Sequence, residues 1–109
     1  MKGVVLPPAD VEGQTESVYH MFVIRLDNND VREALARALK EQGIETGVHY
    51  PVPNHLQPAI TDLYGKLPPL PRTEDYVKRI LSLPMFPSIT EQEVKTVGEA
   101  IKNFLKRAM

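Results

Sequence analysis

The chain has 109 residues, of which 42% are hydrophobic and 25% are charged, a composition typical of a single soluble globular domain. Thirteen basic residues stand against fourteen acidic ones, and the net charge of −1 argues against a dedicated nucleic-acid-binding protein, which carries a basic excess. The absence of cysteine excludes disulfides, thiolate zinc sites and cysteine catalysis, and no apolar run reaches the roughly twenty residues that cross a membrane. We therefore expect a cytoplasmic protein that binds neither nucleic acid nor membrane.

The N-terminal part of the sequence predicts a lead-in segment and one strand. Residues 1–17 contain two prolines and then a polar run, so the domain itself is expected to span residues 18–109. The stretch VYHMFVIRL, Val18–Leu26, predicts a strand covered on both sides, because its apolar residues occupy both alternating faces. His20 falls within this strand and is expected to be a core histidine with one hydrogen bond.

A helix is predicted to follow this strand. Asp30 is expected to cap it, with Glu33 at the reciprocal position of a capping box. Gly43 supplies the left-handed residue that ends the helix, and Ile44 is placed to pack back on its last turn. The core-facing stripe of this helix comprises Val31, Ala34, Leu35, Ala38 and Leu39.

The middle of the chain predicts a second strand, an irregular segment and a short helix. The stretch ETGVHY, residues 45–50, indicates a short second strand. The six prolines of residues 51–71 predict a mostly irregular segment, because each lacks a backbone donor. Thr73 is then expected to cap a short helix with apolar positions at Tyr76, Val77, Ile80 and Leu81.

The C-terminal part predicts a third strand and a long helix. The stretch LSLPMF, residues 81–86, is expected at a sheet edge because Pro84 cannot donate to a ladder. Thr90 and Glu93 form a second capping box, and the helix that they open has Val94, Val97, Ile101, Phe104 and Leu105 facing the core. The element order predicts an α/β (α+β) fold in which about three helices cover a small three-stranded sheet.

The candidate binding residues lie in the stretch ETGVHYPVPNHLQP, residues 45–58. His49 and Tyr50 can both donate hydrogen bonds to phosphate, and the tyrosine can stack on a base or sugar. A buried tyrosine beside a structurally bonded histidine is the alternative. His55 and Gln57 continue the loop, but a metal site there would lack further ligands at suitable spacing. No lysine is expected to be buried as Schiff-base chemistry requires, so no catalytic residue is predicted.

Three blocks of the sequence, in this order and spacing, resemble the C-terminal part of the DegT/DnrJ/StrS family of sugar aminotransferases: VYHMFVIR, GIETGVHYPVPNHLQP and ILSLPMFPSIT. The resemblance runs from about Leu6 onward and covers nearly the whole chain. It implies the small C-terminal domain of an aspartate-aminotransferase-fold enzyme, with a mostly antiparallel sheet packed against helices. Members of the family are dimers that use pyridoxal phosphate to transfer an amino group, usually from glutamate, to a nucleotide-linked keto sugar.

The resemblance implies a substrate-binding role for four residues, and it also implies that the family's large domain has no counterpart in this sequence. His49 and Tyr50 would contact the nucleotide sugar near the dimer interface, and His55 and Gln57 would border the same entrance. The family's large domain holds pyridoxal phosphate and its Schiff-base lysine, and no segment here matches it. No cofactor is therefore expected on this chain alone, and the expected partners are the large domain, a second subunit and a nucleotide sugar. A stand-alone nucleotide-sugar-binding or regulatory module and a structural interaction domain are the alternatives.

Overall fold

The centre of the molecule is a three-stranded antiparallel sheet. The computed structural model describes residues 2–108, and its strands β1 (Val4–Val5), β2 (Phe22–Leu26) and β3 (Ile80–Leu83) are ordered β1-β2-β3. β1 comes from the segment expected to be a lead-in, and β3 lies at the edge of the sheet as predicted, although it ends at Leu83, before Pro84. The expected fold class is confirmed.

Four α-helices accompany the sheet in the described residues. They are α1 (Asn29–Glu41), α2 (Pro58–Tyr64), α3 (Pro71–Tyr76) and α4 (Glu91–Ala108), and a single 3-10 turn (Asn54–Leu56) precedes α2. The long helices α1 and α4 pack on one face of the sheet. The 3-10 turn, α2 and α3 carry the chain back from the end of α1 to β3.

The hydrophobic core fills the space between this face and the long helices. Five side chains are fully buried there: Ile24, Leu26, Leu35, Leu39 and Leu81. Each contributes about 1.5–3 kcal/mol through removal from water. Ile24 pairs with Leu81 across the β2–β3 ladder, so the strand register follows the hydrophobic pattern. The intervening residues, Val23 and Arg25, therefore belong to the opposite face of the sheet.

Two of the predicted helix ends are confirmed. Gly43 has φ +77°, its N–H donates to the carbonyl of Lys40, and the N–H of Ile44 donates to that of Leu39 at 2.9 Å, so α1 ends as predicted. At the start of α4, the N–H of Thr90 donates to the Glu93 carboxylate at 3.0 Å, and the N–H of Glu93 donates to Thr90 Oγ1 at 3.1 Å.

The predicted start of α1 is wrong. Asn28, not Asp30, is the cap, because its backbone is extended (φ −159°) and its side-chain oxygen accepts from the N–H of Val31 at 2.9 Å. Asp30 lies in the first helical turn, where its negative charge still complements the helix dipole.

The second strand and the third helix also differ from the predictions. Within residues 45–50, only Gly47 joins the sheet, through a single bridge to Ser82 on the outer side of β3. Pro51 and Pro53, which lack backbone donors, follow directly. The helix predicted at Thr73 begins earlier, at Pro71, and ends at Tyr76, so Ile80 and Leu81 lie in β3. Ile80 and Leu81 are in a strand rather than a helix because they pair with Arg25 and Ile24 of β2.

His20 is not a core residue. The strand begins only at Phe22, and His20 and Val18 before it are both exposed. Tyr19 has φ +48°, in the left-handed region, so the backbone there cannot continue an extended strand. The period-2 pattern was therefore extended too far toward the N-terminus.

Candidate functional site

The sheet face opposite α1 and α4 carries the candidate site. Directly paired residues of an antiparallel ladder share a face, and Val23 pairs with Ser82 while Arg25 pairs with Ile80. This face is therefore the one that Ser82 and Arg25 share, away from the long helices. The loop that follows the Gly47 bridge brings His49 to Ser82.

His49 is fixed by one hydrogen bond and by a close backbone approach. Its Nδ1 lies 2.8 Å from Oγ of Ser82, which is itself only 5% exposed. The ring also lies against Gly47, where an added Cβ would come within 3.0 Å of His49 Cε1. A side chain at residue 47 would therefore require the ring to shift by a few tenths of an ångström. Among the described residues, nothing hydrogen-bonds to His49 Nε2, which leaves this atom for an external group.

Tyr50 is exposed beside this histidine. Its fractional exposure is 64%, and its ring meets the His49 ring edge to face, with 5.3 Å between the centroids. The alternative of a buried tyrosine is therefore wrong, whereas a structural hydrogen bond to His49 is present. The two rings together form an exposed surface that is aromatic and can hydrogen-bond at His49 Nε2.

His55 is placed differently from His49. It is only 7% exposed, and its Nε2 lies 3.3 Å from Oε2 of Glu74 in α3. The same carboxylate oxygen accepts from the backbone N–H of Leu70 at 2.7 Å. The Leu70 hydrogen bond, and next the one to His55, lower the pKa of Glu74. His55 thus links the 3-10 turn to α3, and its place at a substrate entrance stays a prediction.

Gln57 closes its own loop. Its side-chain Nε2 donates to the carbonyl of Val52 at 2.9 Å, which fastens residues 52–57 ahead of α2. His49 and His55 bond to different elements, Ser82 in β3 and Glu74 in α3, so the hydrogen bonds do not join the four predicted residues into one cluster. A substrate-binding role for Gln57 stays a prediction.

Sequence reasoning missed two features of this face. Ser82 was passed over, although a hydroxyl in an apolar strand is a signal for a buried hydrogen bond. Arg25 fell within the predicted strand Val18–Leu26 without an assigned role, and Tyr76 was predicted only as an apolar position of a short helix. In the structure, the Arg25 guanidinium lies over the Tyr76 ring, with Cζ 4.1 Å from the centroid. Arg79 lies 5.6 Å from the same centroid.

The described residues contain no group of three or more His, Cys, Asp or Glu side chains arranged to hold a metal ion. Over the same residues, no helix has the length and apolar character needed to span a membrane.

Comparisons with known proteins agree on one family. The sequence model of the DegT/DnrJ/EryC1/StrS aminotransferase family matches residues 1–102. A pleiotropic regulatory protein from Geobacillus stearothermophilus is 42% identical over 103 residues, which are 94% of this chain and 27% of that protein. The dTDP-3-amino-3,4,6-trideoxy-alpha-D-glucose transaminase of Streptomyces venezuelae is 34% identical over 110 residues, which are 98% of this chain and 27% of the transaminase.

Solved structures show the same relationship. NtdA from Bacillus subtilis, determined with the bound cofactor PMP, superposes with a TM-score of 0.78 at 31% identity, over 96% of this chain and 23% of NtdA. The chain therefore spans about a quarter of the length of the relatives that it matches.

Proposed function

The chain belongs to the DegT/DnrJ/EryC1/StrS aminotransferase family, and from that premise we propose that it is the small C-terminal domain of a nucleotide-sugar aminotransferase. In this proposal, the domain completes the substrate pocket and contributes to the dimer, while amino transfer to the keto sugar needs the larger part of the enzyme. The length supports this division, because the matched relatives are about four times longer. The dTDP-sugar transaminase among them supports a nucleotide sugar as the substrate class.

The observation that carries the proposal is the arrangement of His49 and Tyr50. Ser82 and Gly47 fix the imidazole, and both His49 Nε2 and the Tyr50 ring remain open. A nucleotide sugar offers phosphate and hydroxyl oxygens to Nε2, and sugar or base faces to the aromatic ring. Because Tyr50 is 64% exposed, its ring is accessible to such a ligand.

The described residues do not fit pyridoxal phosphate. The Schiff base to this cofactor needs a lysine whose amine is free of its proton, and burial is the usual means of achieving that. All lysines of this chain are exposed, and its glycines form no phosphate-binding loop. We therefore assign cofactor binding to the part of the relatives that lies outside the matched segment, and no catalytic step to this chain.

A titration of the 109-residue chain tests the proposed pocket. Adding dTDP-glucose or UDP-glucose should shift the side-chain NMR signals of His49 and Tyr50, and His49→Ala should weaken binding about tenfold by removing one hydrogen bond to a charged group. His20→Ala is the matched control, because His20 is also exposed but has no hydrogen bond to Ser82. Shifts confined to the α1 and α4 surfaces, or unchanged binding by His49→Ala, would contradict the proposal.

A stand-alone nucleotide-sugar-binding or regulatory module is the second candidate. The relative named a pleiotropic regulatory protein, at 42% identity, favours its regulatory form, although the match covers only 27% of that protein. The same titration separates the two. Micromolar affinity in the 109-residue chain would favour an independent module, whereas weak binding favours a domain that needs the rest of the enzyme. Absorbance of bound pyridoxal phosphate on this chain alone would contradict the assignment of the cofactor elsewhere.

A further inference from the structure

Arg25 differs from the other arginines that are at least partly buried. Arg32 donates to the carbonyl of Val77 and to the side-chain oxygens of Asn29 and Glu33. Arg79 pairs with Asp75 at 2.9 Å and donates to the carbonyl of Leu26 at 3.2 Å. Arg25 is half-buried, yet no oxygen among the described residues accepts a hydrogen bond from it. Its nitrogens are not among the buried unpaired polar atoms of the described residues, so they remain accessible to an external oxyanion.

The contact with Tyr76 orients this free cation. With its Cζ 4.1 Å from the ring centroid, the guanidinium is held over the aromatic face. Its N–H groups lie in its own plane, in a fixed fork that suits two oxygens of one carboxylate or phosphate. The contact therefore limits the motion of the long side chain but leaves its N–H groups free to donate. Less conformational entropy is then lost when an anion binds.

The position of Arg25 places it beside the candidate pocket. Arg25 pairs with Ile80, and Ser82 lies two residues further along β3, so Arg25 and Ser82 are diagonal neighbours on one face, about 7–8 Å apart. Ser82 in turn holds His49. An anion bound by Arg25 would therefore lie on the same sheet face as Ser82, the residue that holds His49.

We propose that Arg25, stacked on Tyr76, is a binding residue for an oxyanion, a carboxylate or a phosphate, on this face of the sheet. The assignment of that anion to the nucleotide-sugar pocket rests on the proposed function, whereas anion binding by Arg25 does not. A carboxylate would come from an amino donor or an acidic sugar, and a phosphate from the nucleotide; the guanidinium recognises both by the same paired hydrogen bonds.

The test uses the 109-residue chain and three sodium salts at constant ionic strength: phosphate, glutarate and chloride. Phosphate or glutarate should shift the Arg25 Nε–H and Tyr76 ring NMR signals saturably, while chloride should not. Arg25→Gln should abolish the shift of the Tyr76 ring signals, and Arg25→Lys, read at the same ring, should weaken binding about tenfold, because an ammonium cannot make the paired contact. Arg37→Gln is the matched control, since it removes the same charge from an exposed position on α1.

The outcomes separate the possible sources of the anion and the two proposals. A larger response to phosphate indicates a phosphate site, a larger response to glutarate a carboxylate site, and equal responses a general oxyanion site. No response above chloride, or an unchanged response in Arg25→Gln, overturns the assignment. The partner of Arg25 would then be a carboxylate of another protein segment rather than a small anion. If Arg25→Gln fails to fold, Tyr76→Leu tests the assignment instead. This variant keeps the charge of Arg25, and the shift of the Arg25 Nε–H signal should still be smaller than in the parent chain. Phosphate binding without any His49 response to a nucleotide sugar would contradict the proposed function alone.

Discussion

The Glu74 side chain makes two contacts with the irregular segment. It accepts from the backbone N–H of Leu70 at 2.7 Å and lies 3.3 Å from His55 Nε2, so it ties the start of α3 to the 3-10 turn. The Leu70 hydrogen bond is the main reason that the pKa of Glu74 lies below its ordinary value of 4.5. A carboxyl with a lowered folded-state pKa stabilises the protein above its unfolded pKa, and this stabilisation is lost as the pH falls through the folded value.

We therefore expect the thermal midpoint of unfolding to decrease as the pH falls below about 4.5. Glu74→Gln should be less stable than the parent at pH 7 and should show a smaller dependence on acid. Glu99→Gln, at an exposed position of α4, is the control and should keep the parent's pH profile. Thermal scans between pH 3 and pH 7, roughly the range over which carboxyls titrate, measure both effects. Equal acid sensitivity in the parent and Glu74→Gln would contradict this role.

The role of an individual residue could be predicted only where its contacts come from residues nearby in the sequence. A histidine and a tyrosine before a proline-rich loop identified His49 and Tyr50 as candidates. Their partners were not predictable, because Ser82 lies 33 residues away in sequence and comes close only through the Gly47 bridge. His20 was misassigned for a related reason: the left-handed backbone at Tyr19 ends the strand, and the apolar pattern does not show it.

Among the helices, α4 depends on its first turn, where Thr90 and Glu93 satisfy two otherwise unpaired amides. Thr90→Ala should lower the free energy of unfolding by about 1 kcal/mol, within the range of about 0.5–2 kcal/mol found for such caps. Thr96→Ala is the matched control on the same helix. The Thr96 hydroxyl donates to the carbonyl of Gln92, so its loss leaves no amide unpaired, and alanine favours the helix.

Chemical denaturation of both variants measures the difference. The cap interpretation would be contradicted if Thr90→Ala and Thr96→Ala lost the same stability. A parallel loss of helical circular dichroism in Thr90→Ala alone would place the effect at the start of α4 rather than in the core.

Elements were predictable where their signals are local and not where they depend on pairing. The end of α1 at Gly43 and the capping box of α4 are set within a few residues, and both are confirmed. The segment at residues 45–50 and the boundary between α3 and β3 depend on which residues pair with β2 and β3. A single bridge replaced the second strand, while β1 at Val4–Val5 supplied the third strand of the sheet.

For the molecule as a whole, the fold class followed from element order and family resemblance together. The candidate site was only partly predictable, because its surface lies on a sheet face that no single stretch of sequence encodes. Arg25 shows this most clearly. In the sequence it is one charge in an apolar strand, whereas in the fold it is stacked on Tyr76, which lies far away in the sequence. The chain also spans only about a quarter of the length of its relatives, and under the proposed function some of its surfaces would contact the rest of the enzyme.

The described residues also form an apolar groove of about 240 Å³ between the sheet and the first half of α4. The side chains that line it are Val4, Leu6, Phe22, Ile24, Leu83, Pro84, Met85, Ile89, Val94, Val97 and Ile101, together with Gly98. Leu6 and Val94 at its rim are 56% and 55% exposed, although Val94 was expected to face the core. Open apolar surface of this kind promotes association in water.

We therefore expect the 109-residue chain to self-associate through this groove, with a second copy covering its apolar side chains. Val94→Asp should shift the chain toward monomer, because association would then have to desolvate a carboxylate. Leu63→Asp is the control, since Leu63 is 70% exposed on α2 and does not line the groove. Light scattering over a concentration series measures the change. A parent chain that stays monomeric at high concentration, or equal effects of the two substitutions, would contradict association through the groove.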